Sequence, residues 1–123
     1  MIKENLVAYF EDAILNNWDT MSLRDYDSGN GLTYGELGNN VYNLHKLYRD
    51  CGIKKGDKIV VIGKNSANWG LVYIATVTYG AVIVPLLQDF MPKDIYTLTN
   101  HSDAKLMFAS DCIRQQPKCY IKI

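Results

Sequence analysis

A chain of 123 residues accommodates one domain and not comfortably two. Apolar residues make up 48% and charged residues 21%, ordinary globular usage that argues against wholesale disorder. Lys plus Arg total 13 and Asp plus Glu total 13, so the formal charge is zero and the basic footprint of a nucleic-acid-binding protein is missing.

Residues 3–16 read as a helix with Leu6, Phe10, Ala13 and Ile14 on one face. Glu4, Glu11 and Asp12 break the charged-then-apolar order of a signal peptide. Asn17 to Thr20 are poor helix formers and end the segment. Ser22–Tyr26 and Leu32–Tyr34 flank Asp27-Ser28-Gly29-Asn30-Gly31 and read as a β-hairpin. Gly29-x-Gly31 is too short for a phosphate loop, and no Lys follows in place. Thr33-Tyr34-Gly35-Glu36 is a capping box: the Thr33 hydroxyl accepts from the Glu36 N–H, and the Glu36 carboxylate accepts from the Thr33 N–H. The helix that follows carries Leu37, Val41, Leu44, Tyr48 and Cys51 as one apolar stripe, with Gly52 at its C-terminal cap. His45 lies one residue off the stripe and reads as a surface or boundary histidine rather than a base.

Ile53 to Lys58 is a polar turn, and Ile59–Ile62 is a run of branched apolar residues that predicts a strand covered on both faces. Asn65 or Ser66 caps a helix over 67–79. No Lys, Arg, Asp or Glu occurs between Lys64 and Asp89, a span long enough to cross a bilayer. Gly80 and Pro85 divide it, and its texture changes at Gly80 from helical spacing to the β-branched run Ala81–Val84. A buried helix followed by a buried strand, 81–85, accounts for that change better than one membrane helix. Pro92 suits the first turn of a further helix, with Asp94 near its positive end, Ile95, Leu98 and Thr99 facing inward, and an end near His101. Lys105–Ala109 reads as a third strand. Residues 58–110 therefore predict a right-handed parallel βαβαβ unit in an α/β fold, preceded by a helix, a hairpin and a capped helix.

Sheets of this kind bind ligands beyond the carboxyl ends of their strands, here Gly63–Ser66, Pro85–Asp89 and Ser110–Asp111. None of these loops holds a nucleotide fingerprint, a nucleophile–base arrangement or paired carboxylates. Three cysteines (Cys51, Cys112, Cys119) without a CxxC spacing, and two histidines (His45, His101), support neither a disulfide framework nor a metal site. Reduced thiols in a cytosolic protein is the plain reading. The residues alone assign no catalytic, cofactor-binding or metal-ligating position.

Four blocks, in order, carry a resemblance. Leu32-Thr33-Tyr34-Gly35-Glu36-Leu37 resembles the first core motif of adenylate-forming enzymes: acyl-CoA synthetases, luciferases and peptide-synthetase adenylation domains. Gly52-Ile53-Lys54-Lys55-Gly56-Asp57-Lys58-Ile59-Val60-Val61 resembles their turn and first buried strand, and Asn65-Ser66-Ala67-Asn68-Trp69 the start of the next helix. Val77-Thr78-Tyr79-Gly80-Ala81-Val82-Ile83-Val84-Pro85-Leu86 resembles their second core motif. Within the family, 85–90 and 99–105 look most like bacterial long-chain fatty acid–CoA ligases. The likeness covers roughly residues 5 to 110.

The resemblance implies an acid–thiol ligase that uses ATP, magnesium and coenzyme A to convert a fatty acid to its acyl-CoA. The family's Ser/Thr/Gly-rich phosphate loop, its later nucleotide motifs and its catalytic lysine do not occur in these residues. Thr33, Glu36, Gly80 and Pro85 match motif positions, but their roles are a cap, a turn and a strand end. The expectation is therefore a fragment, 1–123, of the large N-terminal domain. It comprises 1–57 (helix, hairpin, helix), 58–110 (βαβαβ) and an unassigned tail 111–123. It is expected to be inactive alone, to bind no cofactor itself and to self-associate, with Trp69, Tyr73 and Tyr79 as candidates for exposed apolar patches. The parent enzyme is expected to be cytoplasmic or peripheral to a membrane, without a transmembrane segment. A free-standing α/β binding or interaction module and a membrane-anchored fragment are the alternatives.

Overall fold

The computed structural model describes residues 5–110 and 120–122. Its elements are α1 (Leu6–Asn16), β1 (Met21–Arg24), β2 (Gly31–Thr33), α2 (Tyr34–Asp50), β3 (Lys58–Ile62), α3 (Ala67–Tyr79), β4 (Val82–Leu86), α4 (Pro92–His101), β5 (Leu106–Ala109) and β6 (Tyr120–Lys122). β1 and β2 form an antiparallel pair. The main sheet has the order β4-β3-β5-β6, with every pairing parallel. Strand, helix, strand, helix, strand from Lys58 to Ala109 matches the sequence expectation. β6 adds a strand from the segment the sequence left unassigned; Cys112 and Cys119 lie outside the described residues.

Local chemistry sets the boundaries. Asn5 caps α1 by accepting from the Ala8 N–H, so α1 begins at Leu6; Lys3 and Glu4, where the sequence reading began the helix, lie outside the described residues. The predicted capping box of α2 is present in both directions, each hydrogen bond 3.1 Å long. Ser66, not Asn65, caps α3. Gly80 ends that helix with φ of 93°, a left-handed conformation that costs glycine nothing and would strain a side chain.

β3 is the centre of the sheet, and Ile59, Val60, Val61 and Ile62 are all fully buried. Side chains alternate across a strand, so Ile59 and Val61 join Leu37, Tyr48, Val72 and Phe108 in the core under α2 and α3. Val60 and Ile62 join Ile95, Met107 and Ala109 under α4. Each of these branched side chains contributes about 1.5–3 kcal/mol relative to exposure, which makes β3 the main anchor of the described fold.

Between α2 and α3 the core is polar at one point. The Thr76 hydroxyl donates to the Val72 carbonyl at 2.7 Å and sits 3.0 Å from the Tyr48 hydroxyl. Its single proton is thereby used, so the Tyr48 O–H donates to Thr76. Burial pushes the Tyr48 phenol up to about 12, with the Thr76 contact acting in the opposite direction.

Five expectations need correction. Cys51, read onto the apolar stripe of α2, is exposed and caps the helix after Asp50. The run Ala81–Val84 is only partly enclosed: Ala81 is buried and Ile83 and Val84 pack against the core, but β4 is an edge strand and Val82 is 44% exposed. Pro85 is tolerated there because an edge strand leaves one side of its ladder unpaired. Leu98 is 37% exposed, since the short α4 buries only Ile95 and Thr99 against the sheet. Leu6 is exposed as well, and no residue of α1 is fully buried. Trp69, Tyr73 and Tyr79, expected on apolar surface patches, are only partly exposed. Trp69 stacks on Tyr73, and Tyr79 donates to the Ile53 carbonyl at 2.6 Å.

α1 rests on a flat strip of α2. A Cβ on Gly35 would lie 2.5 Å from the Trp18 ring, and one on Gly38 would lie 2.9 Å from Ile14. The two glycines of Tyr34-Gly35-Glu36-Leu37-Gly38 therefore make room for the preceding helix and its trailing tryptophan.

Candidate functional site

The carboxyl ends of β3 and β4 open on a cleft of about 490 Å³. Gly63, Lys64, Asn65 and Trp69 form one wall; Pro85, Leu86, Leu87, Gln88 and Asp89 form the other. The first two loops expected at the ligand end of the sheet thus face each other. The third begins beside them: the Ser110 N–H donates to the Ile62 carbonyl at 3.1 Å, and a Cβ on Gly63 would lie 3.0 Å from the Ser110 hydroxyl. Gly63 lets the ends of β3 and β5 come that close. Asp111 lies outside the described residues.

The hairpin loop closes over the β3–α3 turn. Lys64 Nζ lies 2.7 Å from Asp27 Oδ2, with both side chains well exposed. That contact holds the Asp27 carboxyl below the usual carboxylate range and raises the Lys64 ammonium. Asp25 Oδ1 accepts from the Ala67 N–H at 2.6 Å, so a carboxylate sits at the positive end of α3. The sequence gives no signal for this contact, because its partners are far apart in the chain.

His45 stands away from the cleft. Its Nε2–H lies 2.9 Å from the Ala75 carbonyl and 3.0 Å from the Thr78 hydroxyl, whose own proton goes to Ile74 at 2.7 Å. The ring lies 5.4 Å from that of Tyr79. Desolvation holds His45 below its ordinary value; the Ala75 carbonyl opposes that shift and Arg49 adds to it. It is a half-buried tether between α2 and α3, in keeping with a boundary histidine. His45 also borders a second cavity of about 470 Å³ beneath α1, mostly apolar and lined by Ile14, Trp18, Val41 and Ile74. His101 is exposed at the end of α4.

The described walls of the cleft carry groups suited to binding. They offer an indole, two carboxamides, one lysine and one carboxylate, without a nucleophile beside a base. Among the described residues no group of three His, Cys, Asp or Glu side chains is placed to hold a metal ion. Asp25 and Asp27 engage Ala67 and Lys64 through one carboxylate oxygen each, and Asp89 supplies the carboxylate of the described cleft wall. Of the motif positions, Thr33 and Glu36 form the cap of α2, Gly80 ends α3, and Pro85 lines the cleft.

A parallel sheet with helices on both faces and a cleft at its carboxyl edge is the ligand-binding form of the α/β class. The profile of the AMP-binding enzyme family matches residues 10–121, and the chain belongs to that family. The hybrid PKS-NRPS synthetase fsa1 of Fusarium sp. (strain FN080326) is 36% identical over 84 residues, 68% of this chain and 2% of that protein. Long chain acyl-CoA synthetase 3 of Arabidopsis thaliana is 32% identical over 91 residues, 70% of this chain and 14% of that protein. The inhibitor-bound N-terminal domain of FACL13 from Mycobacterium tuberculosis has the same fold, with a TM-score of 0.84 and 14% identity. That match covers 98% of this chain and 34% of the other. The chain therefore spans a minor part of each of these proteins. No described helix is long and apolar enough to cross a membrane.

Proposed function

We propose that this chain is the N-terminal structural portion of an ATP-dependent long-chain fatty acid–CoA ligase. The observation that carries the reading is the family match over residues 10–121, in a chain that spans only part of its relatives. The fatty acid assignment rests on the resemblance at 85–90 and 99–105. The first of these segments forms a wall of the cleft.

In this reading ATP, magnesium and coenzyme A are ligands of the whole enzyme. Adenylation gives the fatty acid carboxyl a better leaving group, and the acyl group then passes to the coenzyme A thiol. The present residues supply a sheet, a cap and one ligand-facing edge; the groups that act on ATP lie elsewhere. The whole enzyme is read as cytoplasmic, with contact at the membrane surface where its substrate partitions.

The test uses the product of the longest open reading frame that contains these 123 residues. It is offered palmitate, carnitine or an amino acid mixture with ATP and magnesium, with and without coenzyme A. Pyrophosphate release and acyl-CoA formation with palmitate are expected. Release that depends on amino acids and ignores coenzyme A would reassign the chain to a peptide-synthetase adenylation domain. The 123-residue chain alone should release no pyrophosphate above background.

A further inference from the structure

We propose that the hairpin loop Asp25–Asn30 is a strap that fixes one wall of the cleft, with Asp25 as its positioning residue. Two contacts on adjacent turns of α3 anchor it. Leu23 of β1 packs on Gly70, where an added Cβ would lie 3.1 Å from Leu23 Cδ1. One turn earlier, Asp25 Oδ1 accepts from the Ala67 N–H at 2.6 Å.

The α3 cap is thus shared. Ser66 accepts from the Trp69 N–H, and Asp25, from another element, accepts from the Ala67 N–H, which Ser66 leaves free. The loop holds the carboxylate in that position. The Asp25 N–H donates to the Asn30 carbonyl at 2.6 Å, the Gly29 N–H donates to the Asp25 carbonyl at 3.0 Å, and the Ser28 hydroxyl lies 3.4 Å from Asp25 Oδ2. Asp27 adds an outer tie to Lys64, exposed and therefore weakened by salt.

The strap bears on the cleft because the turn it grips is the cleft wall. Lys64 and Asn65 line both the cleft and the gap under the loop. Trp69, on the same first turn of α3, completes the wall. Displacing Asp25 frees the Ala67 N–H and lets the 63–69 segment move against the opposing 85–89 segment. The device concerns the geometry of this edge and holds whichever acid the whole enzyme activates, so it goes beyond the ligase reading.

The test is amide exchange and two-dimensional amide spectra of the 123-residue chain, which need no substrate. Asp25→Ala should speed exchange of the Ala67 amide by about fivefold to tenfold, the scale of a lost helix cap. It should shift resonances at 63–69 and 85–89 while those of α2 and β5 stay in place. Asp25→Asn keeps an acceptor oxygen and should restore both the exchange rate and the spectrum. Lys64→Gln should perturb the 25–30 loop and leave Ala67 exchange unchanged. Ala67 exchange within about twofold of wild type in Asp25→Ala would overturn the strap, as would equally fast exchange in Asp25→Asn. Should Asp25→Ala fail to fold, Asp25→Glu takes its place, with the carboxylate out of register and the same expected outcome.

Discussion

Tyr48 and Thr76 form a hydrogen-bonded pair whose two halves should not be equivalent. Both side chains are fully buried, and their hydroxyls are 3.0 Å apart. Tyr48→Phe removes the donor and leaves Thr76 still donating to Val72, at a cost of about 1 kcal/mol. Thr76→Val removes the acceptor and leaves the Tyr48 O–H buried without a partner, at a cost of about 2 kcal/mol. The double variant leaves nothing polar to satisfy at this point. It should therefore be more stable than Thr76→Val alone. Urea unfolding followed by circular dichroism measures all four proteins. For a chain of this size a loss of about 2 kcal/mol lowers the midpoint by roughly 1 M. Additive losses in the double variant would refute the pairing, and Tyr48→Phe costing more than Thr76→Val would refute the assigned direction of donation.

The His45 tether predicts a pH dependence. Its folded value lies below its unfolded one, so below about pH 6.5 the unfolded state takes up a proton that the folded state resists. Stability should fall as pH drops through that value, and His45→Gln should flatten the profile in denaturant melts. Thr33→Ala removes half of the capping box and should cost about 1 kcal/mol in the same assay. Gly35→Ala drives a methyl into the Trp18 ring; Trp18 emission should shift and α1 should exchange faster, with a loss at the low end of about 1–3 kcal/mol because the ring can swing outward. Edge strand β4 and the zero net charge predict self-association, which sedimentation equilibrium at micromolar concentration checks; a single 14.0 kDa species across the series would refute it.

Legibility in the sequence followed the range of the forces involved. The capping box at Thr33–Glu36, the stop at Gly80 and the start at Pro92 depend on neighbours within a turn, and their signals lie in adjacent residues. Ile59–Ile62 was legible because a branched run without polar breaks suits only a strand covered on both faces. Ala81–Val84 has the same texture yet lies at the edge, since composition does not say which strand takes the centre. The loops at the carboxyl edge were readable from topology. The Asp25 contact with Ala67 and the His45 tether to Ala75 were not, because each depends on two elements meeting in space. Gly35 and Gly38 had a local trace, a pair of glycines on an otherwise good helix, whose meaning appears only with Trp18 and Ile14 above them.

The central place of β3 bears on how the polypeptide reaches this fold during synthesis. Ile59 pairs with Ile83 on one side and Leu106 on the other, so neither neighbour exists when β3 leaves the ribosome. A parallel ladder also cannot close before its crossover helix is made. The most apolar stretch of the chain is therefore complete early and sheltered late, after translation has passed Ala109. When β3 emerges, α1, the hairpin and α2 are the described elements already synthesised, and Leu37 and Tyr48 are residues of α2 that later share a core with Ile59 and Val61. The amphipathic α2, capped at Thr33, can thus shield β3 during elongation, before any strand is available to pair with it.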